Sequence, residues 1–248
     1  MSQPVPLKKI DELVLLLTEL KPAEILSEFK YARCNRLLNE AKSITPEDWW
    51  LMCKSLVELY ANNLIVADKL ANEIFLNSND LKVLRNLHYI FNQTFNYVKA
   101  VEVNEKIINI SRKLNLELRE TLPTWIELEF FLSGNIDKSD LFKHDHEIHK
   151  VFLHLKLIQD ELEISKTSLI AILEIVHNII LNSGSKCQSV EYSYIEEEFL
   201  VTVFIDKDFK TISDLNKLLA RKCYASGLLD ELNKVSYLFL PFDESVDE

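Results

Sequence analysis

The chain has 248 residues, 48% of them hydrophobic and 27% charged, enough apolar sequence for one large or two small cores. Its three glycines, Gly134, Gly184 and Gly227, stand far apart, which excludes P-loops and dinucleotide fingerprints that need several glycines in one short loop. The formal charge of -11, with no dense Lys/Arg run, argues against nucleic-acid binding, which rests on a basic footprint.

Acidity is uneven. The segment from Cys187 onward holds 13 acidic and 6 basic residues, the first 186 residues 26 and 22. Cys34, Cys53, Cys187 and Cys223 form no CxxC pair, so free thiols are expected. Asp11 and Glu12 stand where a signal peptide has an unbroken apolar run. The most apolar stretch, 169–181, contains Glu174, His177 and Asn178 and falls short of the ~20 residues that cross a bilayer. The expectation is a cytoplasmic protein without membrane contact.

In chain order, apolar spacings of three and four predict successive amphipathic helices through residue 182. Ile10, Leu13, Val14, Leu17 and Leu20 form a first stripe, ended at Lys21-Pro22. A second helix is expected from Pro22 to about Ala41, with Ile25, Leu26, Phe29, Leu37 and Leu38 inward. Thr45-Pro46-Glu47-Asp48 reads as a helix start, with Thr45 as the cap. Trp49, Cys53, Leu56, Val57 and Tyr60 share the next face, and Asn62-Asn63 breaks that helix. Its partner helix carries Ile65, Ala67, Leu70, Ala71 and Phe75. After Asn77-Ser78-Asn79-Asp80 a second pair follows, through Leu84, Leu87 and Phe91, then Tyr97, Ala100, Val101, Asn104 and Ile107. Further helices are expected around 119–132, 139–162 and 166–181, with Ser165 as a cap.

Beyond Asn182 the pattern changes to β-branched and aromatic strands. Val190–Tyr194 and Leu200–Ile205 form a hairpin around the tip Glu196-Glu197-Glu198. A short helix over 208–224, capped by Thr211 or Ser213, leads to a strand at Val235–Leu240. The fold class is therefore mainly α: stacked antiparallel helical hairpins over 1–164, followed by a small ββαβ unit over 165–248.

Tyr60 to Phe91 spans 31 residues and Ala71 to Ala100 spans 29, near the ~34-residue tetratricopeptide period. In the second unit Phe91, Tyr97, Ala100 and Ile107 fall where that family places aromatic, aromatic, small and small residues. Over 47–114 the chain resembles a tetratricopeptide-like array, although no Leu-Gly pair accompanies the aromatic. The resemblance implies a groove that binds peptides or helices. Adjacent residues of a helix cannot bury on one face, so one of Trp49 and Trp50 is expected at an edge or groove. Trp49, Trp50, Tyr60, Phe91 and Tyr97 are the candidate partner-binding residues.

Two alternatives carry chemistry. In Lys143-His144-Asp145-His146-Glu147-Ile148-His149, the residues His144, His146 and His149 could hold a divalent metal, against a bland reading as a solvated helix face. Glu174 and Asn178 in LIAILEIVHNIILN have the ExxxN spacing of the histidine-kinase type of ATPase domain. The strands that follow come in that family's order, and Asp206 falls at its adenine-binding aspartate. The C-terminal part thus faintly resembles a degenerate member, with Lys207-Asp208-Phe209 replacing Gly-x-Gly. That resemblance implies a phosphorelay or nucleotide-sensing protein with His144 phosphorylated. The leading expectation is a non-catalytic protein-interaction protein with no cofactor: an adaptor, scaffold or regulatory subunit, with an immunity-type protein as a subcase.

Overall fold

A computed structural model of the chain describes residues 7–21, 23–123 and 126–242. The helices in order are α1 (Leu7–Thr18), α2 (Glu28–Ala41), α3 (Glu47–Tyr60), α4 (Leu64–Asn77), α5 (Leu81–Gln93), α6 (Tyr97–Lys113), α7 (Leu118–Thr121) and α8 (Ile126–Leu132). A 3-10 segment, Ile136–Phe142, leads to α9 (His146–Leu162) and α10 (Lys166–Ser183). Strands β1 (Cys187–Ile195) and β2 (Glu198–Ile205), helices α11 (Phe209–Ala225) and α12 (Leu229–Lys234), and strand β3 (Val235–Pro241) complete the described chain. The protein is mainly helical with a small C-terminal mixed sheet.

Each helix pair α1/α2, α3/α4 and α5/α6 packs as a hairpin, and α2 and α4 also pack on the first helix of the next pair, which stacks the hairpins. Local chemistry sets the boundaries. Asp80 accepts the N–H groups of Lys82 and Val83 at 2.7 and 3.1 Å to start α5, and Ser165 accepts that of Ser168 at 3.0 Å to start α10. These are helix caps that satisfy otherwise orphaned donors. Leu84, Leu87, Phe91, Tyr97, Ala100, Val101, Asn104 and Ile107 are all buried, as their spacing predicts.

Several expectations are corrected. Helix α2 starts at Glu28 with Ser27 as its cap, and Pro22 lies outside the described residues. The later start turns Phe29 away from the buried face made by Cys34, Leu37, Leu38 and Ala41, leaving Phe29 79% and Ile25 47% exposed. Ile65 on α4 is exposed, and Leu64 and Ile74 are buried instead. Thr45 does not cap α3: its hydroxyl donates back to the Ala41 carbonyl at 2.9 Å, and Pro46 occupies the cap position without a side-chain bond. The helix expected over 139–162 is broken, because Asp145 caps a fresh start at His146. Phe142 before the break packs with Phe130 and Phe152 at ring separations of 5.7 and 4.6 Å. Asp208, not Thr211 or Ser213, caps α11, and α12 is an additional helix between it and the last strand.

β1 pairs antiparallel with β2, and β3 pairs parallel with β2 on its other side. The inner face meets the helices: Phe199 packs on Phe131 of α8 at 4.4 Å, and Tyr237 on Phe95 of the α5–α6 turn at 6.2 Å. One apolar cluster runs from Leu13 of α1 to Phe239 of β3. Among the described residues no single helix is long and apolar enough to cross a membrane. Taken together α9 and α10 reach that length, but they bend by 100° and bury Phe152, Leu155, Leu169 and Ile172 in the core.

Candidate functional site

The adjacent tryptophans diverge as helix geometry requires. Trp49 sends its indole N–H to Asp80 Oδ2 at 3.3 Å, towards the start of α5. Trp50 sends its own to the Leu38 carbonyl at 2.8 Å, towards the end of α2. Both are half-buried. The Trp50 ring lies beneath two ammonium groups, Lys42 Nζ at 5.1 Å and Lys54 Nζ at 5.5 Å from its centre. A hydrogen-bonded indole with two ammonium groups over its ring is fixed in orientation.

The other three aromatic candidates belong to the interior. Phe91 is fully buried, Tyr97 stacks on Phe95 at 4.3 Å, and the Tyr60 hydroxyl shares a hydrogen bond with Tyr89 at 3.0 Å. The expected groove of five aromatics is therefore not assembled. Burial raises the Tyr97 and Tyr89 hydroxyls above the ordinary tyrosine range.

His144 and His146 are exposed, and His149 Nδ1 faces the Ser139 carbonyl at 3.2 Å. Among the described residues no group of three or more His, Cys, Asp or Glu side chains could hold a metal ion.

Glu174 and Asn178 are exposed on α10, with Asn178 Nδ2 donating to the Glu174 carbonyl at 2.8 Å. They line a cleft of about 310 Å³ with Asn96, Lys99 and His177. Asp206 lines a different depression of about 320 Å³, with Lys21, Glu24 and Phe242. The structure does not bring the ExxxN pair and the aspartate together.

Sequence reasoning missed three buried polar arrangements. His88 Nε2 donates to Glu129 at 2.9 Å and Asn104 Nδ2 donates to the same carboxylate at 2.8 Å, tying α5, α6 and α8. Asp68 accepts from Thr94, Asn96 and Asn72 at 3.2, 2.9 and 3.0 Å. His177 donates through Nδ1 to the Thr94 carbonyl at 2.8 Å, with Nε2 4.0 Å from Asp68. Lys186, 2% exposed, donates to the Glu24 carbonyl at 2.9 Å and stands 4.6 Å above the Tyr60 ring. Its burial pulls the ammonium down to about 8, against the opposing pull of Asp206 and Glu24. The available signal was a polar residue in phase with a buried stripe, as at His88 between Leu84 and Phe91.

The four cysteines are free and buried. Loss of solvation pushes Cys53 and Cys187 up to about 12 and Cys223 up to about 11, the opposite of an activated nucleophile. No family model, curated protein or solved structure matches the chain.

Proposed function

We propose that this chain is a non-catalytic, cytoplasmic protein-interaction protein, an adaptor or regulatory subunit whose contact patch is Trp50 with Lys42 and Lys54. The observation that carries the reading is the hydrogen-bonded, half-exposed indole with two ammonium groups over its ring. Large aromatics supply much of the energy of protein interfaces, and one that is already ordered loses little freedom on binding. The flanking lysines favour an acidic segment of the partner. Stacked helical hairpins support this role, since such stacks present extended binding surfaces. Free, buried cysteines suit a reducing compartment.

The test is affinity capture of the intact chain from a lysate of its source, quantified by mass spectrometry for wild type, Trp50→Ala and the double variant Lys42→Glu/Lys54→Glu. A stoichiometric protein partner lost in both variants supports the reading. The double variant keeps the Trp50 ring, and an unchanged circular dichroism spectrum and urea midpoint separate its loss of partner from misfolding of α3. Absence of a partner, or capture unaffected by either variant, overturns it.

A further inference from the structure

Parallel strands are normally covered on both faces and read as continuous apolar runs. β2 and β3 are parallel and read that way, EFLVTVFI and VSYLFLP. On the inner face Phe199, Val201, Val203, Val235, Tyr237 and Phe239 are buried. Register places Leu200 beside Ser236, Thr202 beside Leu238 and Phe204 beside Leu240 on the other face. There Leu238 is 37% exposed, and Leu200, Phe204 and Leu240 are half-buried outside the apolar core. The outer positions of β1 opposite them are Ser189, Glu191 and Ser193. The apolar strip therefore lies on β2 and β3, with Ile195 exposed at its hairpin end.

The two sides of this strip carry opposite charge. On the β1 side Glu191 lies on the outer face and Glu196 and Glu197 at the tip, with Glu198 on the outer face where β2 leaves the tip, all exposed, and there is no Lys or Arg between residues 187 and 206. On the β3 side stands α11. Its Asn216 donates to the Phe239 carbonyl at 3.0 Å and accepts the Phe239 N–H at 2.9 Å, closing the strand edge and holding the helix beside it. At 3.6 residues per turn, the core-packed Ile212, Leu215, Leu219 and Cys223 lie to one side of Asn216. Lys210, Lys217, Arg221 and Tyr224 lie to the other side and are exposed, with Asp214 next to Lys217 at 3.4 Å.

We propose that the outer face of the sheet is an interface between two copies of this chain. A twofold axis in the interface plane, running along the strands, lays the acidic β1 side of one copy on the basic α11 side of the other. Leu200, Phe204, Leu238 and Leu240 of both copies then meet across the axis and supply the layer that the parallel pair lacks. The charges set orientation, and the apolar strip supplies affinity.

Sedimentation of the full chain at about 100 μM, enough to populate a dimer of micromolar Kd, is expected to show a dimer. Phe204→Glu, at a half-exposed position, is expected to give a monomer with an unchanged circular dichroism spectrum. Two charge-reversed chains, Glu191→Lys/Glu198→Lys and Lys217→Glu/Arg221→Glu, are each expected to self-associate at least about tenfold more weakly. Their equimolar mixture is expected to form a heterodimer, because each side then meets its opposite again. A monomeric wild type, a dimer that survives Phe204→Glu, or a mixture that associates no better than its components overturns the proposal. A basic or apolar peptide that binds this face of a monomeric wild type would identify a different occupant.

Discussion

Lys186 gives the sharpest test of how the C-terminal unit is joined to the helical hairpins. Its side chain is buried between the Tyr60 ring and the Glu24 carbonyl, and burial lowers its ammonium from the ordinary value of 10.5 to about 8. The folded protein therefore binds fewer protons at this site than the unfolded chain between those two values, so stability rises with pH across that window. A tenfold change in an acid dissociation constant corresponds to about 1.4 kcal/mol, which makes the full difference about 3 kcal/mol, most of it recovered between pH 7 and pH 10. Lys186→Met keeps the apolar stem and removes the titration. Urea unfolding of both proteins at several pH values isolates the effect, because the buried tyrosines titrate alike in both and cancel in the difference. The expected result is a wild-type stability that gains about 2–3 kcal/mol on the variant from pH 7 to pH 10. Parallel curves for the two proteins would show that no charged amine is buried here and refute the reasoning.

Glu129→Leu strands the His88 Nε2 and Asn104 Nδ2 donors in the core. At about 1–3 kcal/mol for each stranded donor, a loss of roughly 4 kcal/mol is expected from the urea midpoint at unchanged slope. Gly134→Ala combines a φ of +65° with a Cβ only 2.6 Å from Lys166 Cγ, so about 2–3 kcal/mol of destabilisation is expected. At Gly184 the φ is +62° with open space around it, and the same substitution is expected to cost about 1 kcal/mol by thermal or urea unfolding. Thiol labelling of the native protein by a disulfide reagent is expected to follow opening, with all four cysteines reacting together only as urea unfolds the chain; a fast-labelling thiol would contradict their burial.

The elements that were legible in the sequence are those whose boundary chemistry and apolar period agree. Asp80 and Ser165 each cap a helix whose stripe begins within a turn, and Glu196-Glu197 separates two strands of high β-propensity, with Glu198 already in the second strand. Errors arose where one signal stood alone. Pro22 suggested an early start for α2, but the Ser27 cap determines the register, and moving the start rotates Ile25 and Phe29 outward. Continuous apolar spacing concealed the break at 143–145, which is set by the tertiary packing of Phe142 against Phe130 and Phe152. For the candidate site, divergence of Trp49 and Trp50 followed from helix geometry alone. The burial of Tyr60, Phe91 and Tyr97 depends on which helices stack beside them, and local spacing does not encode whether an aromatic stripe faces a groove or a core. The bonds Asn104–Glu129, Asn96–Asp68 and Lys186–Glu24 join residues 25 to 162 positions apart, a separation that no local pattern records.

The two proposed surfaces lie on different elements of one continuous core, and this sets a further expectation. Trp50 is anchored to α2, whereas the apolar strip belongs to β2 and β3. Between them stand the Lys186–Glu24 and Asn62–Gly184 hydrogen bonds at 2.9 and 2.8 Å, and the Asp68–Thr94–His177 cluster. Buried hydrogen bonds of this kind favour one relative arrangement, because any other leaves their donors unpaired. With one arrangement favoured, occupancy at one surface is expected to leave the other unaltered. Phe204→Glu is therefore expected to abolish self-association while leaving capture through Trp50 unchanged, and Trp50→Ala the reverse, with the double variant showing both losses and no more. A Phe204→Glu chain that lost its captured partner as well would mean that the partner reads the dimer rather than the single chain, and the Trp50 patch would have to be completed by the second copy.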